Sequence, residues 1–403
     1  MRRLAVLSMH TSPLAQPGSG DGGGMNVYVR ELSSALARAG VECDVYTRAS
    51  DESQPRIVRV EPGLRVHHVP AGPMAPVPKE QLPGLVPAFA DAVMTRIGDA
   101  DLIHANYWLS AVAGHRIKHA LDLPLVSTFH TLARVKAEID EDEPRQRAHD
   151  EAETIGCSDA VLASCTEEAL DIVRLYDADP SRIEIVAPGV DHAFFAPGDQ
   201  RQARRAVGLP IDRPVLLFVG RIQPLKGLDV AVQALARLTA FPDALLAVVG
   251  GPSGAHGDDE VARVHALATR LGVAGRVLWV KPQAHELLST YYRAADVCLV
   301  PSRAESFGLV ALEASACGTP VVAAAVGGLR TLVDHGSTGF LVESRDPDDY
   351  AHHVADILGD RWAAAEMSTR AANRARAYTW STAAARLRRL YGDLTARSLV
   401  ECR

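Results

Sequence analysis

Two carboxylates, Glu305 and Glu313, stand eight positions apart in the run Glu-Ser-Phe-Gly-Leu-Val-Ala-Leu-Glu. The first precedes an apolar helix and the second falls about two turns inside it, so spacing alone does not make them the paired acids of a retaining glycosidase. Carboxylates so placed suit hydrogen bonds to the hydroxyls of a sugar and a ribose better than metal ligation. Between them, Phe307, Gly308 and Leu309 mark a helix start, where unpaired backbone amides receive an anion and a glycine lets a ligand approach. A phosphate is expected there. A solvent-facing Glu313 is the plain alternative, and its neighbours Val310, Ala311, Leu312 and Ala314 count against it.

Arg221 and Lys226 lie five positions apart in Gly-Arg-Ile-Gln-Pro-Leu-Lys-Gly. At the carboxyl end of a strand they can converge on a diphosphate, the arginine as a fork and the lysine as a compact charge. Taken alone, they read equally as two solvated loop charges. His10, His104 and His130 end or adjoin strands, and His130, in Thr-Phe-His-Thr, is the one expected to do chemistry. His67, His68, His115, His119 and His149 are read as structural. Lys79, Tyr107, Thr131 and Arg147 are each of a type that binds phosphate, but nothing in the sequence groups them.

The elements that carry these residues alternate strand and helix. Apolar runs at 4–8, 41–47, 65–69, 101–105, 124–130, 160–163 and 183–186 read as buried parallel strands, and 215–220, 244–249, 276–280, 297–300 and 320–323 repeat the pattern. The fold class is α/β, with two doubly wound Rossmann-like domains facing a cleft at the carboxyl ends of their strands. A proline- and glycine-rich stretch at 187–198 reads as the hinge. The division is 1–195, 196–377, and a C-terminal helix over 378–403 that packs back on the first domain. The polar stretch 138–153 reads as a solvated face. The glycine-rich loop 18–24 lacks the acidic strand end of a dinucleotide site, so it points only weakly to a nicotinamide cofactor.

Of 403 residues, 47% are hydrophobic and 23% charged, with a formal net charge of −7, which disfavours a general nucleic-acid or anionic-membrane binder. Six scattered cysteines without a C-x-x-C pair indicate neither a zinc site nor a disulfide framework and read as reduced thiols. The apolar run after Arg2-Arg3 is too short for a signal peptide, and no run is long enough to span a membrane, so a cytoplasmic location is expected.

With these residues in view, the chain resembles the retaining, nucleotide-sugar-dependent glycosyltransferases of family 4, which have the GT-B fold. The stretch 305–313 matches their E-x7-E motif, and Gly220-Arg221 with Lys226 matches their diphosphate signature. Runs at 9–14, 16–18, 20–21, 23–29, 107–110, 130–133 and 251–254 resemble the members that glycosylate an inositol phosphate in mycothiol biosynthesis. The resemblance implies transfer of N-acetylglucosamine from UDP-N-acetylglucosamine to 1D-myo-inositol 3-phosphate, with retention of configuration. A related transferase acting on another phosphorylated cyclitol, aminocyclitol or sugar is the alternative, and a catalytically silent sugar-nucleotide binder a further one.

The resemblance places Arg221, Lys226, Glu305, Phe307, Gly308, Leu309 and Glu313 on the donor, with Gln16, Pro17, Gly24 and Gln283 beside it. His10, Asp21, Gly22, Gly23, Gly24, Met25, Asn26, Lys79, Tyr107, Thr131 and Arg147 fall on the acceptor. His130, Arg221, Lys226 and Glu305 are the catalytic set. A magnesium ion near Tyr292, Arg293, Ala295 and Thr319 and a homodimer are further implications. Ala105-Asn106, Phe129, Cys165 and Gln283 depart from the usual pattern.

Overall fold

The computed structural model describes residues 1–18, 20, 22–139, 143–254 and 257–402. It falls into two units, Met1–Ala15 with Met25–Gly189 and Trp380–Arg403, and Gln16–Gly24 with Val190–Thr379. Asp21, expected on the acceptor, lies outside the described residues.

The first unit is built on β1 (Arg3–Leu7), β2 (Glu42–Arg48), β3 (Ile57–Glu61), β4 (Leu64–Val69), β5 (Leu102–Asn106), β6 (Leu125–Thr128), β7 (Ala160–Ala163) and β8 (Ile183–Ile185). Their spatial order is β3-β4-β2-β1-β5-β6-β7-β8. Only the β3–β4 pair is antiparallel. Leu4, Ala5 and Leu7 are fully buried, as helices on both faces of a parallel sheet require. The edge strand β3 escapes the sequence reading because its residues are half exposed and carry Arg59 and Glu61, charges that blunt a sheet edge.

The second unit holds β9 (Val215–Val219), β10 (Leu245–Val249), β11 (Val277–Val280), β12 (Val297–Val300), β13 (Val321–Ala324) and β14 (Gly339–Val342), in the order β11-β10-β9-β12-β13-β14 and all parallel. In each sheet one strand is flanked by the start and the continuation of the winding: β1 by β2 and β5, β9 by β10 and β12. At such a switch point the two neighbouring loops diverge and leave a crevice beyond the strand ends.

The division drawn from sequence at 195/196 moves to 189/190. Val190 donates its N–H to the Tyr378 carbonyl at 3.2 Å, and Phe195 packs against His285 and Tyr292, tying this stretch to the second unit. The loop Gln16–Gly24 also groups with that unit, although its flanking residues belong to the first. The helix Trp380–Leu394 groups with the first unit, where the Tyr391 hydroxyl bonds His104 Nδ1 at 2.8 Å and Trp380 meets the Tyr28 ring.

Two other expectations are corrected. The polar stretch around 138–153 is not a solvated face throughout, because the helix Arg145–Cys157 buries Arg147, Glu151, Thr154 and Ile155. Arg147 and Glu151 neutralise each other at 2.8 Å, which is what lets charged residues enter a core. The cysteines are not all free: Cys157 and Cys402 are joined, across 245 residues of sequence. Cys43, Cys165, Cys298 and Cys317 are buried thiols outside that disulfide.

Candidate active site

In the first unit, β1, β5 and β6 lie side by side, so the loops leaving their carboxyl ends carry His10, Tyr107 and His130-Thr131 to one place. Residues unrelated in sequence become neighbours. The His10 and Tyr107 rings are 4.3 Å apart, the Lys79 ammonium lies 5.3 Å from the Tyr107 ring, and the Arg147 guanidinium lies 5.1 Å from it. Arg147 Nη2 donates to both the carbonyl and the hydroxyl of Thr131 at 2.9 Å. Its Nε holds Glu151 at 2.8 Å, and Nη1 is ion-paired with Glu143 at 2.9 Å without hydrogen-bond alignment.

The Tyr107 hydroxyl is buried and makes no hydrogen bond among the described residues. Tyr107 also sits at φ 76, a conformation that a non-glycine residue rarely adopts and that tends to occur at functional sites. An unpaired donor flanked by two cations suits an anion with several acceptor oxygens. Asn26 Nδ2 bonds the Thr11 hydroxyl at 2.8 Å and the Ser12 carbonyl at 2.6 Å, which fixes the loop after β1; Met25 packs against the same core.

His130 is at φ 61 and pairs through Nε2 with Asn106 Oδ1 at 2.9 Å, the side of its ring against Tyr28. Burial, with the nearby His104, holds its imidazole down to about 3, so it is neutral near pH 7. A neutral ring donates an N–H without carrying a cation into the site. Asn106, one of the departures from the family pattern, is the residue that orients this ring. Phe129 is fully buried in the core, and Cys165 caps the helix Thr166–Tyr176, its Sγ accepting from the Glu168 N–H.

In the second unit, the adjacency of β9 and β12 brings the Arg221–Lys226 loop to the Glu305 loop. Lys226 Nζ donates to Glu305 Oε2 at 2.6 Å, and Ser302 supports the same oxygen at 3.3 Å. Arg221 Nη1 donates to Ser253 Oγ at 3.2 Å. A Cβ on Gly23 would stand 3.1 Å from Arg221 Nε, so the loop backbone crosses directly over the guanidinium; a Cβ on Gly24 would stand 3.4 Å from Leu309. Gly22 and Gly23, expected on the acceptor, therefore group with the loop that carries Arg221. Gln16 Nε2 donates to the Pro282 carbonyl at 3.0 Å beside Pro17, and Gln283 turns back to the Lys281 carbonyl at 2.8 Å.

Gly308 caps the helix Leu309–Ala316, with the Phe307 ring buried beside it. The glycine has a reason of its own, separate from ligand approach: φ is 100, and a Cβ would stand 2.7 Å from Leu329. Glu313 is buried inside this helix, not solvent-facing. Its oxygens accept from Tyr292 at 2.8 Å and pair with His285 at 2.7 Å, leaving further lone pairs for a hydroxyl.

Sequence reasoning missed His285, Ser253, Ser302 and Asn106. The seven-residue spacing of His285 and Tyr292, two turns of one helix, was the signal that they share a face. At the magnesium position, the Tyr292 carbonyl already accepts from Thr319 Oγ1 at 2.6 Å and from the Ala295 N–H at 3.1 Å, while Arg293 bonds the Phe194 carbonyl at 2.9 Å. The set contains a guanidinium and no carboxylate, a poor match for magnesium.

The chain matches the family models Glycosyltransferase Family 4 over residues 22–194 and Glycosyl transferases group 1 over residues 199–378. Among solved structures, sucrose-phosphate synthase from Thermosynechococcus elongatus matches with a TM-score of 0.92 at 33% identity, over 98% of this chain and 100% of that one. Anabaena HepE in complex with UDP and glucose shares the fold, with a TM-score of 0.81 at 21% identity over 98% of this chain and 100% of that one. The chain belongs to the family 4 glycosyltransferases and is a glycosyltransferase of GT-B fold.

Within that family it is similar along its length to D-inositol 3-phosphate glycosyltransferases. It is 48% identical to D-inositol 3-phosphate glycosyltransferase 2 of Catenulispora acidiphila, over 100% of this chain and 96% of that one. The identity to the D-inositol 3-phosphate glycosyltransferase of Mycolicibacterium paratuberculosis is 46%, over 94% of this chain and 87% of that one.

Proposed function

We propose that the enzyme transfers N-acetylglucosamine from UDP-N-acetylglucosamine to 1D-myo-inositol 3-phosphate with retention of configuration, a step of mycothiol biosynthesis. The observation that carries the reading is the buried, unpaired Tyr107 hydroxyl between Lys79 and Arg147, in a chain so similar to proteins named for this acceptor. These three groups, with Thr131, grip the acceptor phosphate, and His10 with the Met25-Asn26 segment borders the cyclitol.

On the donor side, Arg221, Lys226 and the amides at Leu309 take up the charge that develops on the leaving diphosphate, an effect that grows toward the transition state. Glu305 turns to the donor sugar and Glu313 to the ribose. Neither carboxylate is needed as a nucleophile: the departing phosphate oxygen accepts the proton of the acceptor hydroxyl, which attacks from the same face. His130, its one N–H committed to Asn106 Oδ1, presents an uncharged ring to the sugar. Magnesium is assigned no step; a structural ion at the Tyr292 helix end is tested by calorimetric titration of the metal-stripped protein.

The enzyme is read as cytoplasmic and homodimeric, the latter checked by light scattering. The likeness to sucrose-phosphate synthase supports a second reading, in which the acceptor is a phosphorylated sugar. Purified protein is incubated with UDP-N-acetylglucosamine or UDP-glucose and a panel of phosphorylated cyclitols and sugars, with UDP release and product mass recorded. Product with a sugar phosphate and none with inositol phosphate would favour the second reading, and no UDP release with any pair would defeat both.

A further inference from the structure

The helix Trp108–Leu121 presents His115 and His119 one turn apart, the spacing at which two side chains share a face. Cys157, at the end of the helix Arg145–Cys157, and Cys402, near the C-terminus, meet that face. One ligand atom from each of the four residues lies within 4.8 Å of the others. His119 Nε2 is 3.0 Å from Cys402 Sγ, and His115 Nε2 is 3.5 Å from it. With metal–sulfur bonds of about 2.3 Å and metal–nitrogen bonds of about 2.0–2.1 Å, tetrahedral ligand atoms stand about 3.4–3.8 Å apart, near the nitrogen–sulfur separations here, and the two bonded sulfurs reach that spacing by parting on reduction.

We propose that His115, His119, Cys157 and Cys402 form a tetrahedral zinc site when the two cysteines are reduced. Two further features fit a metal site better than a bare disulfide. Both imidazoles present Nε2 to the Cys402 sulfur, and Glu153 Oε1 stands 3.9 Å from His115 Nδ1, a nearby negative charge just beyond direct hydrogen-bond reach. The surrounding backbone is also held: Lys118 Nζ donates to the Cys157 carbonyl and to Asp159, each at 2.8 Å, and the Val400 N–H donates to Asp159 Oδ1 at 2.7 Å. The C-terminal segment is thereby positioned to deliver Cys402.

A dithiol reductant supplies the two electrons and two protons that open the disulfide, ending as its own disulfide. A phosphine supplies the two electrons and ends as the phosphine oxide, with the protons and the oxygen drawn from water. Zinc then displaces both thiol protons to solvent, giving a neutral centre of one divalent ion, two thiolates and two neutral imidazoles. The ion closes the chain into the same loop as the disulfide does, in a reducing environment where the disulfide would not persist. The site lies entirely in the first unit and is independent of the acceptor reading.

The full chain is purified under phosphine reductant without added chelator, and zinc is measured by elemental mass spectrometry. The same protein is stripped and refilled with cobalt to read thiolate-to-metal charge transfer. About one zinc per chain, a tetrahedral cobalt spectrum, and loss of both in His119→Ala and Cys402→Ser are expected. Both positions are exposed, so these variants are expected to fold, and circular dichroism checks that. Zinc at background in the reduced wild type, or zinc retained undiminished in His119→Ala, would overturn the proposal. So would protein trapped by alkylation directly from cells with the disulfide fully formed.

Discussion

The Arg147 guanidinium lies 5.1 Å from the centre of the Tyr107 ring, yet the Tyr107 hydroxyl is left without a hydrogen-bond partner among the described residues. The arginine's Nε and Nη2 are engaged by Glu151 and Thr131, which hold it rigid, while Nη1 is ion-paired with Glu143 without an aligned hydrogen bond. Such a tyrosine is useful only when a ligand brings the acceptor. Tyr107→Phe should therefore leave the unfolding midpoint unchanged or slightly raised, because a buried group without a partner is removed. The acceptor kcat/KM should fall about 10- to 100-fold, the value of a hydrogen bond to a charged group. Steady-state kinetics with calorimetric melting separates the two, and a large loss of stability would contradict the unpaired state.

Arg147 is expected to act differently. Arg147→Ala strands the buried Glu151 and should destabilise the protein by about 3–5 kcal/mol, besides raising the acceptor KM. Donor KM should move far less. Equal effects on both substrates in the folded fraction, measured below the melting transition, would remove Arg147 from the acceptor grip.

Lys226 and Glu305 form the corresponding pair in the second unit, 2.6 Å apart. Lys226→Ala should lower kcat by about 10²–10³, the usual effect of losing one donor to developing charge, with a smaller change in donor KM. Placement of Glu305 depends on Gly327, at φ 44, where an added Cβ would stand 2.0 Å from the Glu305 carbonyl. Gly327→Ala should cost about 1–3 kcal/mol and lower kcat without altering acceptor KM. Unchanged kcat in a variant that folds would show that the position of Glu305 does not govern the donor chemistry.

Burial lowers the imidazoles of His104 and His130 to about 3, against an ordinary value near 6.5. The unfolded chain then takes up protons that the folded one refuses, so stability should fall as pH drops from about 6.5 toward 3, by at most about 1.4 kcal/mol per pH unit for each ring. Above pH 6.5 these two groups contribute no slope. Urea unfolding across this window, compared with His104→Asn, should show a shallower dependence in the variant. An unchanged slope would mean that His104 titrates normally.

The thiol of Cys165 accepts from the Glu168 N–H at 3.5 Å as a helix cap. Sulfur is a weak acceptor, so Cys165→Ser should stabilise by about 0.5–1 kcal/mol, provided that the smaller side chain leaves no void. Differential scanning calorimetry reads the change. A lower midpoint would show that packing of the sulfur outweighs the cap.

Most strands were legible because a parallel sheet covered on both faces demands continuous apolar runs such as Leu4–Leu7 and Val215–Val219. The edge strands β3 and β14 were not, since a half-solvated edge imposes no such pattern. The residues proposed for the donor were legible because Glu305, Gly308 and Glu313 share one loop and helix, and Arg221 and Lys226 one turn, so their spacing is written along the chain.

The residues proposed for the acceptor were grouped only through resemblance. Lys79, Tyr107, Thr131 and Arg147 are brought together by the order β1-β5-β6 and by a buried arginine whose partner, Glu151, makes a charged helix face a core face. His119 follows His115 by one helical turn, but nothing local joins that pair to Cys157 or Cys402. Sequence alone determined the alternation of strands and helices and the donor loops, because local periodicity and short motifs carry them. Tertiary structure alone decided which distant side chains meet, because strand order, not sequence separation, sets which loops become neighbours.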